Sequence, residues 1–450
     1  MFLKSINRRI KILFLVFLIP LILIVFKVFY IQVFEYKKLN KLSSDLWSRN
    51  LEIEADRGKI FDRNGVVLAD NLTTVSLVLV PNQIKDKELV TNKLSNILGV
   101  SYNEMKKHVY KKTSIERVHP EGRRLDNNIA NEISNLKLDG VYLVKESKRN
   151  YPYKELLSHT LGYVGRIDSD EYKNLEGYSI SDYIGKTGIE YSFEKYLKGQ
   201  DGIKQTDMSI DGTITGEYIT EEAISGADVT LTIDANIQEV TEKSMKELVE
   251  KIRTGGFGIK YTAKSGAVVV LDVKTGEVIA MCSYPDFEPQ LFLDGISNEK
   301  WNEYTGGERS ALLNRTIQST YAPGSVFKMA TAIAGLESGH ITATETMYDT
   351  GIYHYGGSSW RCWVYTDYGR GHGALNVSGA IKHSCNYFFY ETAKRMGIDT
   401  LVKYARYFGL GSKTGIELIG EEAGMLASKE NSAALGQEWY GGNTLNAAIG

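Results

Sequence analysis

The apolar positions fall into distinct patterns along the chain, and each predicts a different kind of segment. From Ile12 to Phe34 the only charged residue is Lys27. A helix of that length runs about 34 Å, enough to cross a bilayer core of ~30 Å. Lys4, Arg8, Arg9 and Lys11 precede it, which predicts a single-pass anchor in the cell membrane with residues 1–11 as a cytoplasmic tail. Lys27 can snorkel toward the interface beside Tyr30. No small-residue cleavage site follows the run, so 12–34 reads as an uncleaved anchor with everything after it outside the cytoplasm. Tyr36 to Asn50 is polar with helical spacing and is expected to extend the helix as a stalk.

Beyond the stalk the apolar runs shorten. Arg57-Gly-Lys-Ile-Phe-Asp-Arg-Asn-Gly65, followed by Val66-Val-Leu-Ala-Asp70, predicts a strand, a tight Asn64-Gly65 turn and a returning strand. Val75-Ser-Leu-Val-Leu-Val-Pro81 is a further strand, 86–137 reads as charged amphipathic helices, and Val141-Tyr-Leu-Val144 is a strand again. The region 35–225 is therefore expected to be one mixed α and β domain. It contains no catalytic cluster, and its Arg, Asp and Glu motifs read as internal ion pairs that fix strand and loop geometry.

A second domain, 226–450, begins near Ser225-Gly-Ala-Asp-Val-Thr-Leu-Thr-Ile-Asp234, whose strand feeds an amphipathic helix over 237–252. Ala267-Val-Val-Val-Leu-Asp-Val273, Lys274-Thr-Gly276 and Glu277-Val-Ile-Ala-Met-Cys282 predict a hairpin. Its run 267–271 is apolar throughout and is expected to be buried on both faces. Val326 to Leu336 is a nearly all-apolar helix that belongs inside a core and stops at Gly339. The Gly-rich stretch 351–373 lacks periodicity and reads as a long loop lining a binding site. Helices over 374–383 and 387–396 are interrupted by Ser384-Cys-Asn386.

Composition adds little beyond this. With 450 residues the chain can build two or three cores, and 43% hydrophobic and 24% charged residues are ordinary for a folded protein. A net charge of -2 leaves no footprint for nucleic acid. Three cysteines, Cys282, Cys362 and Cys385, are too few for a disulfide framework in an exported chain and read as free thiols. No cofactor is expected and no metal is assigned. An alternative metal set exists, Cys362 and His372 on one Gly-rich stretch with Asp349 upstream, but its spacing matches no standard zinc pattern.

The strongest chemical signal is Tyr321-Ala-Pro-Gly-Ser-Val-Phe-Lys328. Pro323 and Gly324 break the chain just before the apolar helix, and Ser325 and Lys328 share its face at i and i+3. A free serine is a poor nucleophile, but an amine whose pKa is lowered by burial can take its proton. The helix N-terminus favours the negative charge that develops. Ser-x-x-Lys recurs at Ser134–Lys137, Ser192–Lys195 and Ser297–Lys300, in polar stretches that read as surface. Ser384 and Asn386 sit at an interhelix corner of the same domain, where both can point polar tips into a cleft.

Taken in order, these motifs resemble a class B penicillin-binding protein of the elongation or sporulation type, over essentially the whole chain. The resemblance rests on the anchor, Arg57-Gly-x-Ile-x-Asp-Arg-Asn-Gly65, Arg149-x-Tyr-Pro152, Gly185-x-x-Gly-x-Glu190, Leu231-Thr-Ile-Asp234 and Tyr284-Pro285. It continues through Pro323-Gly-Ser-x-x-Lys328, Gly371-His-Gly373 and Ser384-Cys-Asn386. It implies an α+β fold, with a pedestal or dimerisation-type domain followed by a penicillin-binding/β-lactamase-like transpeptidase domain, an antiparallel sheet with helices. It implies a D,D-transpeptidase that joins D-Ala-D-Ala stem peptides through a serine acyl-enzyme and is a target of β-lactams. Ser325 would attack, Lys328 accept its proton, Ser384 relay a proton to the leaving amine, and Asn386 hold the substrate's peptide amide. The implied partners are the membrane and a polytopic glycosyltransferase of the cell-wall machinery. Two other readings stay open: a β-lactamase-type hydrolase, and a membrane-anchored interaction module for a glycan-polymerising partner.

One departure stands out. The family's third motif, a Lys-Thr/Ser-Gly strand that walls the cleft, follows Ser-x-Asn well past a Gly-Leu-Gly…Thr-Gly-Ile-Glu segment. Lys-Thr-Gly occurs here at 186, 274 and 413, and none of these positions fits. The sequence stops at Asn446-Ala-Ala-Ile-Gly450, where the family continues into a Gly-Gln-Gly-like turn. The expectation is a transpeptidase domain incomplete at its C-terminus and, as it stands, inactive.

Overall fold

The computed structural model describes residues 2–36, 48–112, 116–118, 125, 127–179, 182–208, 214–306 and 310–450. They form two compact units of mixed helix and strand, each assembled from separate stretches of chain. The first comprises Met1–Tyr153, Phe193–Leu231 and Gln290–Gly295; the second comprises Lys154–Ser192, Thr232–Pro289 and Ile296–Gly450.

The first unit opens with a helix over Phe2–Val33. Its side chains are described for Val16 and from Leu18 onward, and among the described residues no helix is long and apolar enough to cross a membrane. Residues 37–47 of the expected stalk lie outside the described residues, and its end is strand rather than helix. Ser48–Ile53 pairs with Gly202–Met208, which in turn pairs with Ile214–Glu221. Here cross-strand pairing overrides the helical spacing read from sequence.

The main sheet of this unit centres on Val67–Leu79, one continuous strand where the pattern suggested two. It pairs antiparallel with Val141–Asn150 along its length, from Asp70↔Asn150 to Leu79↔Val141. Helices Lys87–Leu98, Tyr102–Val109 and Asn127–Asn135 cover it, with Leu77, Leu79, Leu94, Met105 and Ile133 in a common core. A short strand, Glu116–Val118, interrupts the stretch expected to be helical throughout. The charged motifs are structural. Arg57 donates to Glu194 at 2.6 Å, Arg149 donates to the Gly58 carbonyl at 2.7 Å, and Asp62 Oδ1 accepts from the N–H groups of Asn64 and Val66 to shape the Asn64-Gly65 turn. A Cβ on Gly58 would sit 1.9 Å from the Ala227 carbonyl oxygen, so only glycine fits there. Gln290 belongs to this unit through the backbone of Arg149 and Tyr151.

In the second unit, Ala235–Thr254 is a long helix capped by Asp234 and stopped by a left-handed Gly255. It packs on the hairpin Gly266–Leu271 and Val278–Tyr284. Gln238 clamps the second strand, donating to the Met281 carbonyl and accepting its N–H. The hairpin differs from expectation. Val278–Tyr284 is buried at its centre, but Val269 and Leu271 are exposed, because among the described residues Gly266–Leu271 pairs only with Val278–Tyr284 and the long helix covers one face. The helix Lys328–Glu337 is likewise not buried all round. It packs on Asn386–Tyr407 through Ala332, Ala334 and Gly335, while Met329 and Ile333 face outward. The stretch 351–373 is not a loop. It holds a hairpin, Ile352–Tyr355 with Ser358–Arg361, the helix Trp363–Tyr368, and the start of the strand Gly373–Leu375.

One half-buried carboxyl links helix to loop in this unit. Glu242 Oε1 accepts from the Leu157 N–H at 2.9 Å and from Gln238 Nε2 at 2.7 Å. Burial pushes its pKa up to about 7, from 4.5, against these two hydrogen bonds and with help from Asp286. The folded protein thus keeps this proton up to about pH 7, whereas the unfolded chain releases it near 4.5. The stabilisation is complete below pH 4.5 and is lost as pH rises through 7, by up to roughly 3 kcal/mol. Glu242→Gln keeps the acceptor oxygen and removes the charge. Thermal unfolding should show the variant matching wild type at pH 4 and exceeding it by several degrees at pH 8.

Candidate active site

Pro323 and Gly324 lead into a single 3-10 turn, Gly324–Phe327, that passes directly into the helix Lys328–Glu337. In a 3-10 turn residues i and i+3 eclipse, so Lys328 stands over Ser325. Ser325 is exposed and Lys328 is 2% exposed. The Lys328 amine lies 3.1 Å from Ser325 Oγ. The same i, i+3 spacing elsewhere builds no such site. Ser134 and Lys137 are exposed, and Ser297 caps its helix by accepting the Lys300 N–H. Ser192, expected on the surface, is half-buried with its hydroxyl enclosed, while Lys195 is exposed.

The facing wall is the corner between helices Val377–Lys382 and Asn386–Tyr407. Ser384 takes a left-handed φ of 50° there. This turns its hydroxyl toward the nucleophile, with Ser384 Oγ 2.9 Å from Ser325 Oγ and 3.0 Å from Lys328 Nζ. Lys328 Nζ also lies 2.9 Å from the Ser384 carbonyl oxygen and 2.6 Å from Asn386 Oδ1. All four residues singled out from sequence therefore meet in one network. The helices Lys328–Glu337 and Asn386–Tyr407 can come this close because a Cβ on Gly335 would already sit 2.8 Å from Thr392 Cγ2.

Lys328 has four oxygen neighbours, and even an ammonium has three protons to give. One contact must therefore be reversed or unfilled, and a serine hydroxyl donating to a neutral amine resolves the excess. The electrostatics run the same way. Burial pushes the Lys328 pKa below its usual value, opposed by the nearby Cys362 and Cys385 thiols. The arrangement can move a proton from Ser325 to Lys328 directly, or around the triangle through Ser384.

Directly behind the corner, Asp349, Cys362, His372 and Cys385 bring one ligand atom each to within 4.8 Å of one another. Asp349 Oδ2 is 2.7 Å from His372 Nδ1 and 3.3 Å from Cys385 Sγ, and Cys362 Sγ is 3.6 Å from His372 Nδ1. Burial raises the Asp349 pKa, but hydrogen bonds from His372, Gly351 and Cys385 outweigh it and hold the carboxylate ionised. A hydrogen bond with Cys385 pulls the Cys362 thiol down against burial, while Cys385 moves up. The sequence had offered Asp349, Cys362 and His372. It missed Cys385, although Cys385 stands inside Ser384-Cys-Asn386 and the residue between two cleft-facing positions points the other way. Two sulfurs, one imidazole and one carboxylate suit zinc, whose tetrahedral ligands lie about 3.3–3.8 Å apart. These four residues could hold it after a small contraction.

The Lys-Thr-Gly copies have local explanations. Lys274 and Thr275 N–H groups cap Asp272 in the hairpin turn, and Thr414 donates through N–H and hydroxyl to Glu421. Lys186 pairs with Glu171.

Residues 52–231 match the profile of the penicillin-binding protein dimerisation domain, and residues 266–450 match that of the penicillin-binding protein transpeptidase domain. A solved chain of a peptidoglycan synthase complex that coordinates polymerization and crosslinking superposes with a TM-score of 0.70. It shares 31% identity over 98% of this chain and 74% of its own. The chain belongs to the class B penicillin-binding proteins. The penicillin-binding protein PBP2 of Helicobacter pylori, in its complex with MreC, superposes with a TM-score of 0.76 at 28% identity, over 90% of this chain and 73% of its own. Two curated relatives match over most of this chain. Stage V sporulation protein D of Bacillus subtilis is 34% identical over 94% of this chain and 60% of its own length. The peptidoglycan D,D-transpeptidase MrdA of Acinetobacter baumannii is 31% identical over 94% of this chain and 61% of its own length. The chain thus spans about 60% of the length of these two relatives.

Cobalt(II) provides a direct probe of the four-residue cluster in this penicillin-binding protein. Titration should give a thiolate-to-cobalt absorption band that weakens in Cys362→Ser and disappears when Cys385→Ser is added. No band in the wild-type protein would exclude a thiolate metal site here.

Proposed function

We propose that this penicillin-binding protein is a peptidoglycan D,D-transpeptidase acting through a Ser325 acyl-enzyme. One observation carries the reading: Ser325 Oγ, Lys328 Nζ and Ser384 Oγ form a closed triangle with sides of 2.9, 3.0 and 3.1 Å. Lys328, its pKa lowered by burial, takes the Ser325 proton as Oγ bonds to the carbonyl carbon before a terminal D-Ala. The carbon–nitrogen bond to D-Ala then breaks. Ser384 hands the proton to the leaving amine, so charge is balanced through the step. The Ser325 N–H supplies one donor to the oxyanion. Asn386 keeps Lys328 in place and, once substrate enters, holds its peptide amide. An amine from a neighbouring stem peptide completes the transfer, and a β-lactam intercepts the same serine. The matched relatives named as D,D-transpeptidases support this reading.

The same proposal includes the setting. Residues 12–34 serve as a single-pass anchor with residues 1–11 in the cytoplasm, supported by the basic residues ahead of a run whose only charge is Lys27. A cell-wall partner is supported by the matched complexes, one with MreC and one described as a peptidoglycan synthase complex. A polytopic glycosyltransferase is the specific partner proposed.

In the protein produced from its intact gene, Ser325→Ala should abolish covalent labelling by a fluorescent penicillin without unfolding the domain. Lys328→Arg replaces the proton-accepting amine with a guanidinium that stays protonated, and should slow acylation by about 10²–10⁴-fold. The wild-type acylation rate should rise with pH along a limb set by Lys328, placed below lysine's usual 10.5. Rapid turnover of the drug would instead mark a hydrolase, and folded protein without an adduct would mark an interaction module. Protease added to intact spheroplasts should digest the domain; a protected domain would overturn the topology.

A further inference from the structure

Trp363 opens the short helix Trp363–Tyr368, one residue after Cys362. It is 40% exposed, so its indole is not there to fill a core. Its N–H donates to the His383 carbonyl oxygen at 3.1 Å. That carbonyl lies at the C-terminal end of Val377–Lys382, where backbone oxygens have no partner within the helix.

The peptide that carries this oxygen also carries the Ser384 N–H, which donates to the Ile381 carbonyl at 3.1 Å. The His383–Ser384 peptide plane is thus held at both ends. Ser384 then turns away from that plane with a φ of 50°, a conformation that non-glycine residues keep only where their surroundings enforce it. With the plane fixed, this rotation is what places the Ser384 hydroxyl 2.9 Å from Ser325 and 3.0 Å from Lys328. The indole is held in its turn, with its ring edge-to-face against Tyr368 at 6.4 Å and His372 at 5.7 Å.

We propose that Trp363 is a positioning residue for acylation, holding the His383–Ser384 peptide so that the Ser384 hydroxyl stays between Ser325 and Lys328. The proposal rests on the acyl-transfer reading above. Trp363 acts through Ser384 alone, and this is what separates it from a residue that merely supports the fold.

A double-mutant cycle in the protein produced from its intact gene tests it. The acylation rate constant and the penicillin dissociation constant are separated by their concentration dependence. Trp363→Phe removes the donor and keeps an aromatic ring. It should slow acylation roughly fivefold, the equivalent of one ordinary hydrogen bond, at an unchanged dissociation constant. In a Ser384→Ala background the same substitution should leave the residual rate unchanged within about twofold, because coupled residues are non-additive. Equal slowing in both backgrounds, or no slowing in either, would overturn the proposal. If Trp363→Phe does not yield folded protein, Trp363→Tyr takes its place in the cycle. A wild-type protein that forms no Ser325 adduct overturns the acyl-transfer reading itself, and with it the role of Trp363, before any variant is compared.

Discussion

The second unit is built around the burial of one amine. Lys328 is almost wholly removed from water, and a buried ammonium is tolerated only where hydrogen-bond acceptors replace its hydration. Those acceptors come from Ser325, Ser384 and Asn386, so the helix Lys328–Glu337 and the corner before Asn386–Tyr407 must meet at one separation. Gly335 lets them meet, and the left-handed Ser384 delivers two of the oxygens. Stability and reactivity therefore share an origin. The desolvation that makes this amine demanding of partners is also what lowers its pKa and frees it to accept a proton.

Much of this centre was legible in the sequence because its signals are local. Pro323-Gly324 announced a chain break, Ser325 and Lys328 a shared face, and Ser384-Cys-Asn386 a corner. Other parts depended on non-local neighbours. The apolar runs at 267–271 and 326–336 suggested burial on every side, but hydrophobicity does not say how many faces find a partner, and Val269, Leu271, Met329 and Ile333 are exposed. The stretch 351–373 was misread for a different reason. Gly356-Gly357 between Tyr355 and Ser358 is a two-residue hairpin signal, and both glycines take positive φ. It was hidden by strands of four residues, too short to show periodicity. The strand Ser48–Ile53 exists only because Gly202–Met208 lies beside it, and no local pattern can report a partner 150 residues away.

Consecutive residues around the corner serve different purposes. Cys362 turns inward to the Asp349 and His372 cluster, while Trp363 beside it reaches the His383 carbonyl. Ser384 faces the nucleophile, Cys385 faces Asp349, and Asn386 returns to Lys328. The polar cluster and the Ser325–Lys328–Ser384 network thus lie on opposite sides of one stretch of backbone.

The way each unit is stitched from separate stretches sets a timetable for synthesis. Lys154–Ser192 leaves the ribosome before the rest of its own unit exists, because that unit resumes only at Thr232. The first unit, in turn, lacks its last piece until Gln290–Gly295 has been made. At about 5–20 residues per second, the interval is on the order of seconds to tens of seconds. The first unit has all of its pieces once Gly295 is made, whereas the second still waits for Ile296–Gly450. The nascent chain must hold apolar segments open through that interval, and the first unit can reach its final form while much of the second, Ile296–Gly450, is still to be made.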